Sequence, residues 1–62
     1  MKFKEHDLVK NIEVVGNIPE HTNGTIVHIW NENVFEVEFV DDKINTIAVK
    51  TVNKKDLIKT NH

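Results

Sequence analysis

Residues 24–40 form the pattern of a β-hairpin, and this hairpin constrains the fold more than any other segment. Two apolar-rich runs flank a short polar segment at 31–33. In the second run apolar and acidic residues alternate. Phe35, Val37 and Phe39 occupy the odd positions, and Glu36 and Glu38 lie between them. Successive side chains of a strand point to opposite faces of the sheet. We therefore predict that the apolar set is buried and that both glutamates lie in solvent.

The length of the hairpin loop predicts which residues of the two strands face each other. We expect a three-residue loop at 31–33, with Asn33 in the left-handed conformation that asparagine tolerates better than most residues. This register gives four facing pairs: Ile29 with Phe35, Val27 with Val37, His28 with Glu36, and Trp30 with Val34. The first two pairs would point into the core, and the other two would lie on the solvent side. A slip of one residue would reverse the faces.

The chain of 62 residues has room for one domain, 1–62. A chain of this length buries roughly 60% of the surface of its unfolded form, so its stability is marginal. It contains no cysteine, which excludes disulfides and cysteine-ligated zinc. No apolar run approaches the ~18 residues of a membrane span, and the charged start at 1–7 is unlike a signal peptide. We expect a cytoplasmic protein without a membrane segment.

Two segments precede the hairpin, a strand and a turn-rich loop. The strand falls within Leu8–Val15, and a bulge or sharp bend can lie inside it because two inward parities fit. One is Val9, and the other is the set Leu8, Ile12 and Val14. Residues 16–24 contain both glycines and the one proline, which is typical of an ordered loop. Within that loop, Ile18 is expected to be an apolar anchor on the core.

The chain after the hairpin predicts one more strand, a helical turn and a short last strand. The elements are, in order, a turn at 41–44, a strand at Asn45–Val52, a single helical turn with Asn53 as N-cap, and a last strand at Leu57 and Ile58. In the strand at 45–52 we expect Ile47 and Val49 to point inward and Lys50 to point outward.

This order of elements predicts an all-β fold. Five short strands in about sixty residues, without a helix longer than one turn, indicate a small closed barrel. The order is a strand, a long loop, a meander of three strands, a helical turn and a last strand. We predict a small SH3-like five-stranded barrel with one short helical turn before the last strand.

Several short motifs resemble those of a family of small, functionally uncharacterised bacterial SH3-like proteins. They span residues 7–58 in the order Asp7 and Val9, Ile18-Pro19-Glu20, Gly24-Thr25-Ile26-Val27, Trp30, Glu36-Val37-Glu38-Phe39, and Thr46-Ile47-Ala48-Val49. The most specific of these is Glu-Val-Glu-Phe. Two turns depart from the family pattern: residues 21–23 shorten one stretch, and Ile44 stands where the family tends to have glycine. The resemblance implies an SH3-like fold and complex formation with a partner, and it implies no established activity.

The chain also resembles, more weakly, the KOW modules of ribosomal and transcription factors, which share a Gly-x-Val strand in a small barrel. Lys50, Lys54 and Lys55 could contact phosphate groups in such a role. Residues 43–62 carry five lysines and one acid, whereas residues 1–42 carry three lysines and nine acids. The net charge of −2 and the absence of arginine argue against nucleic acid as the main partner. Nucleic-acid binding is therefore the alternative function.

No set of residues in the chain amounts to a catalytic, metal or cofactor site. Serine and cysteine are absent, and Glu36 and Glu38 on an open strand lack the shaped pocket that acid–base catalysis needs. The histidines lack the close spacing of zinc ligands: His6, His21, His28 and His62. We expect a protein that is not an enzyme and that binds no metal or cofactor.

Trp30 is the strongest candidate for contact with a partner. In the predicted register it stands on the solvent side with His28, Glu36 and Glu38, and exposed apolar area of this kind marks partner sites. The alternative is that Trp30 covers one end of the barrel as part of the core. We predict a non-enzymatic protein-interaction module that binds another protein through these residues and regulates or neutralises it.

Overall fold

The structure, a computed structural model, describes residues 2–60. The strands are β1 (Leu8–Asn11), β2 (Asn23–Asn31), β3 (Val34–Val40), β4 (Thr46–Asn53) and β5 (Leu57–Lys59), with a 3-10 turn at Lys54–Asp56 before β5. They form one antiparallel sheet in the order β4-β3-β2-β1-β5. The predicted all-β class, the order of the elements and the single helical turn are confirmed. In the described ladder β4 and β5 are the two end strands, and the 3-10 turn joins them.

The core is a single apolar cluster enclosed by the curved sheet. It consists of Val9, Ile18, Ile26, Phe35, Val37, Phe39, Val52 and Leu57. The predicted burial of Phe35, Val37 and Phe39 is confirmed, as is the role of Ile18 as the anchor of the long loop. Phe3 of the lead-in covers one side of the cluster, with its ring centroid 5.4 Å from that of Phe35.

The pairing of β2 with β3 corrects the predicted core on the first arm of the hairpin. Ile29 faces Phe35 and His28 faces Glu36, as predicted. Val37, however, faces Ile26, because a β-bulge at Val27 interrupts the pairing. The prediction that Val27 is buried is therefore wrong: Ile26 is fully buried, whereas Val27 is 40% exposed.

The hairpin loop is shorter than predicted. Asn31 faces Val34, so Glu32 and Asn33 alone form the turn, and a second irregularity at Trp30 replaces the predicted pairing of Trp30 with Val34. The side-chain Oδ1 of Asn31 accepts the N–H of Asn33 at 2.8 Å. This side-chain bond supports the turn without a positive φ, so the prediction of a left-handed Asn33 is wrong.

The faces of β4 are the reverse of those predicted. The inward positions are Ala48, Lys50 and Val52, which face Phe39, Val37 and Phe35. Ile47 and Val49 point to solvent and are about half exposed. Small Ala48 fits against the bulky Phe39 ring, and Val52 fills the core beside Phe35. The stem of Lys50 passes Gly16, where a β carbon would lie 3.6 Å from Nζ, so a lysine can cover the inner side while its ammonium stays near the surface.

Strand β1 ends at Asn11, earlier than predicted, and Val9 is its inward apolar residue. Asn11 is fully buried and holds the long loop by three side-chain hydrogen bonds. Its Nδ2 donates to the carbonyls of Glu13 and Pro19 at 2.8 and 2.9 Å, and its Oδ1 accepts the N–H of Thr22 at 2.7 Å. A buried amide with these partners is stabilising, because a buried polar group without them would cost about 1–3 kcal/mol.

Two turns carry their own side-chain support. Asn53 caps the 3-10 turn as predicted, since its Oδ1 accepts the N–H of Lys55 at 3.0 Å. In the turn after β3, Oδ1 of Asp41 accepts the N–H groups of Lys43 and Asn45. Ile44 in that turn has φ 64°, which is strained for a β-branched residue. Glycine would adopt this conformation without that strain.

The bulge at Val27 predicts that truncating Ile26 destabilises the fold more than truncating Val27. Ile26→Val removes one buried methylene group and is expected to lower the free energy of unfolding by about 0.5–1.5 kcal/mol. Val27→Ala removes more carbon from a solvent-facing position and is expected to change it by less than about 0.5 kcal/mol. Urea unfolding followed by circular dichroism measures both. A larger loss for Val27→Ala would show that β2 pairs without the bulge.

Candidate protein-binding face

The outer face is the solvent side of β2, β3 and β4. It combines all four residues predicted for partner binding with three more from β4: His28, Trp30, Glu36, Glu38, Ile47, Val49 and Thr51. The bulges in β2 and the alternation of β3 bring the predicted four to one surface. The three residues of β4 were missed, because β-branched residues occupy both parities of that strand and its inward set could not be read from the pattern.

Trp30 is 62% exposed, so the alternative that it belongs to the core is excluded. Its indole Nε1–H donates to Oε1 of Glu36 at 3.1 Å. The imidazole of His28 packs against its ring in an edge contact, with centroids 4.5 Å apart and planes at 78°. An exposed aromatic ring held on two sides loses little conformational freedom when a partner covers it.

Glu36 is the centre of the outer face. It lies between His28 on β2 and Thr51 on β4 in the pairing of the strands. The hydroxyl of Thr51 and the indole N–H of Trp30 both donate to its Oε1. These two hydrogen bonds, that of Thr51 first, lower the pKa of the Glu36 carboxyl below its ordinary value, with a smaller contribution from the charge of His28. Glu36 is therefore an ionised acceptor at neutral pH.

Glu38 repeats this arrangement one step along β3. It faces Thr25 on β2 and Val49 on β4. Its Oε2 accepts the hydroxyl of Thr46. As at Glu36, the carboxylate is oriented by a neutral donor.

His28 connects the outer face to the lead-in. Its Nδ1 lies 3.9 Å from Oε2 of Glu5, and both side chains are about half exposed. Glu5 therefore adds a third carboxylate beside His28, at the β2 margin of the outer face.

Strands β2–β4 contribute no lysine to the outer face. Along β2–β4 the one lysine is Lys50, and it lies on the inner side. Over residues 2–60, the ion pairs join Glu20 with His21, Glu5 with His28, and Asp7 with Lys59. Glu36 and Glu38 take part in none of them, so both charges face solvent with only neutral donors and the nearby His28 around them.

A shallow groove adjoins the outer face at Trp30. It has a volume of about 630 Å³ and is lined by Lys2, Phe3, Ile29, Trp30, Asn31, Glu32, Phe35 and Lys54. Its apolar wall is aromatic, and its rim carries both signs of charge. The groove extends the surface that a partner could cover on the far side of the tryptophan.

The three lysines predicted to contact phosphate do not lie together on one surface. Lys50 runs along the inner side against Gly16. Lys54 and Lys55 belong to the 3-10 turn, which is fixed to the hairpin loop by the N–H of Lys54 donating to the carbonyl of Asn33 at 2.8 Å. Lys54 and Lys55 are therefore neighbours in the 3-10 turn, whereas Lys50 lies beside Gly16 on the inner side of β4.

Within residues 2–60 the acidic and histidine side chains form no group of three that could hold a metal ion. His62, the fourth histidine considered above, lies outside the described residues. In the same part of the chain, no helix has both the length and the apolar character needed to cross a bilayer.

The fold and the outer face define a small all-β domain with an exposed aromatic and acidic surface. A family model described as a domain of unknown function, DUF4926, matches residues 5–59. The chain belongs to this family, and the matched span agrees with the range 7–58 over which its motifs resemble an uncharacterised family. Comparison with curated proteins and with solved structures found no match.

The hydrogen bonds at Glu36 predict a specific change in its titration. Thr51→Val removes the donor that lowers the pKa most, so the pKa of Glu36 should rise toward its ordinary value of 4.5. In the native chain the lowered pKa means that the stabilisation from this carboxylate is complete above about pH 4.5 and is lost as pH falls through the lowered value. Carboxyl ¹³C resonances followed from about pH 2 to pH 7 measure both forms.

Thr46→Val is the matched control, because the hydroxyl of Thr46 donates to Glu38. This substitution should leave the pKa of Glu36 where it is in the native chain. An unchanged pKa of Glu36 in Thr51→Val would contradict the assignment of that hydroxyl as its main donor.

Proposed function

We propose that this protein is a non-enzymatic interaction module that binds another protein through the outer face and thereby regulates or neutralises it. The observation that carries the proposal is the exposure of Trp30 together with the two contacts that hold its ring in place. Aromatic residues dominate binding energy at protein interfaces when they are central and well oriented. Trp30 is well oriented, and its indole N–H donates to Glu36 at the centre of this surface.

The surroundings of Trp30 support a docking surface larger than one side chain. Half-exposed Ile47 and Val49 add apolar area on β4, and the aromatic groove adds area beyond the hairpin. Single exposed apolar residues are ordinary on protein surfaces, whereas a contiguous set rimmed by polar groups marks an interaction site. Here two apolar parts border the carboxylates of β3: Trp30 with its groove lies beside Glu36, and Val49 lies opposite Glu38.

We also propose a more specific fold for this all-β domain. The strand order, the 3-10 turn before β5 and the motifs from Asp7 to Val49 support an SH3-like barrel of the small bacterial kind. Such a fold hosts many functions, so the proposal rests on the surface and not on the fold. A cytoplasmic location stays a prediction of the sequence.

Nucleic-acid binding is the alternative that the same experiment tests. The carboxylates of Glu36 and Glu38 would repel phosphate from the outer face. The lysines that could attract it are divided between the inner side of β4 and the 3-10 turn. A nucleic-acid partner would therefore have to avoid Glu36 and Glu38 and use the lysines of the 3-10 turn, of which Lys54 lines the groove beside Trp30.

Capture from a lysate of the source organism, before and after nuclease treatment, tests the proposed function. The protein is immobilised as the native chain, as Trp30→Ala and as Val14→Ala, whose side chain is equally exposed but lies in the loop after β1. We expect one nuclease-resistant protein partner on the native chain and on Val14→Ala. Titration calorimetry with that purified partner should show a loss of about thirtyfold or more in affinity for Trp30→Ala, the size typical of a hot spot.

A different result would contradict the proposed function. Nucleic acid as the species retained by the native chain, with affinity that falls steeply as salt rises, would contradict the proposed function and support the alternative, whether or not Trp30→Ala retains it. An unchanged unfolding midpoint for Trp30→Ala shows that a loss of binding is local.

A further inference from the structure

The outer face has a charge pattern that selects the sign of its partner. Glu36 and Glu38 lie two residues apart on the same side of β3, and Glu5 lies near His28 at the margin. Hydroxyl and indole groups donate to the two carboxylates of β3, and no lysine lies on this side of β2–β4. A neutral donor orients a carboxylate but leaves its charge in place. The carboxylates of Glu36 and Glu38 therefore give this side of β2–β4 a net negative charge.

Trp30 offers a second feature that suits a cation. Its N–H is already committed to Glu36, so a partner meets the indole ring. The π face of an indole attracts Lys and Arg side chains within about 6 Å of the ring centroid. Here the ring lies within hydrogen-bond distance of an ionised carboxylate, so one cationic group could contact both.

The strip formed by Ile47 and Val49 suits the remainder of a basic side chain. Val49 lies directly opposite Glu38 in the pairing of β3 with β4. Lys and Arg carry a long apolar stem below a charged end, and such stems pack on apolar surface while the charge stays in a polar environment. The outer face therefore has carboxylates and apolar side chains in adjacent rows.

We propose that the partner presents a basic segment, with Arg or Lys side chains that contact Trp30, Glu36 and Glu38 and stems that pack on Ile47 and Val49. This inference rests on the proposed function and specifies the chemistry of its partner. Phosphate-bearing ligands are disfavoured at the same place, because their charge has the sign of the carboxylates. The groove beyond Trp30 has Lys2, Lys54 and Glu32 on its rim, so it does not select a sign.

Three synthetic peptides of eight residues provide the probes. Each is acetylated, amidated and fluorescently labelled, and each alternates valine with arginine, with glutamine or with glutamate. Anisotropy titrations with the native chain at low salt measure their dissociation constants. We expect saturable binding of the arginine peptide, at least about fivefold tighter than that of the glutamine peptide, and weakening of this binding as salt screens the charges.

Isosteric variants assign the binding to the outer face. Glu36→Gln and Glu38→Gln should each weaken the arginine peptide by about threefold to tenfold. Glu13→Gln is the matched control: it removes the same charge from the exposed loop after β1 and should leave the affinity unchanged apart from a small effect of net charge. Unfolding midpoints of all three variants verify that the fold is kept.

Three outcomes would overturn the inference: no saturable binding of the arginine peptide, equal binding of the glutamine peptide, or equal effects of Glu13→Gln and Glu36→Gln. None of them bears on the proposed function, which fails if the retained partner is nucleic acid or if capture of a protein partner does not depend on Trp30. A captured partner that binds through Trp30 but is insensitive to both glutamine variants would separate the two claims.

Discussion

The pairing of β2 with β3 is the constraint on which the rest of the structure depends. Residues 24–31 of β2 lie opposite residues 34–39 of β3, so β2 carries two residues without a direct partner, Val27 and Trp30. In a regular strand Ile26 and Ile29 would point to opposite faces, since the period is two. The bulge between them allows both to face the core. The same irregularities turn Val27 and Trp30 to the solvent.

Close approach of backbone and side chains maintains this pairing. Gly24 faces Phe39, and a β carbon at Gly24 would lie 2.7 Å from Cγ1 of Val37, closer than packed atoms allow. The first residues of β2 therefore pack directly on the core, and the bulge follows three residues later at Val27. On the neighbouring strand β1, buried Asn11 bonds to the long loop at Pro19 and Thr22, immediately before β2 starts. The pairing of β2 with β3 thus determines both which side chains of β2 enter the core and which face the solvent.

Much of the fold followed from residue patterns, and the failures have physical causes. The second arm of the hairpin, the anchor at Ile18 and the cap at Asn53 each carry a local signal, and all three predictions are confirmed. Bulges have no comparable signal, because they depend on how two strands pack against the same core. The burial of Val27 was predicted wrongly for this reason.

The errors on β4 come from a different source. Both parities of Thr46–Asn53 contain β-branched residues, so the pattern offers no clear inner set. Packing opposite Phe39 selects the small Ala48, and this choice places Lys50 inside and Ile47 and Val49 outside. The apolar part of the candidate site was hidden by the same ambiguity. The outward direction of Glu36 and Glu38 was predicted because β3 alternates cleanly, whereas Trp30 lies at an irregularity of β2 that the predicted register did not contain.

Trp30 is an exposed ring beside the ionised carboxylate of Glu36, and collisional quenching of its fluorescence tests both properties directly. The chain contains one tryptophan, so the emission reports Trp30 alone. Relative to N-acetyltryptophanamide at equal ionic strength, we expect near-full accessibility to acrylamide, enhanced quenching by caesium and reduced quenching by iodide. Protection from acrylamide would place the ring in the core, and iodide quenching as efficient as that by caesium would show that the surface lacks the negative potential on which partner selection depends.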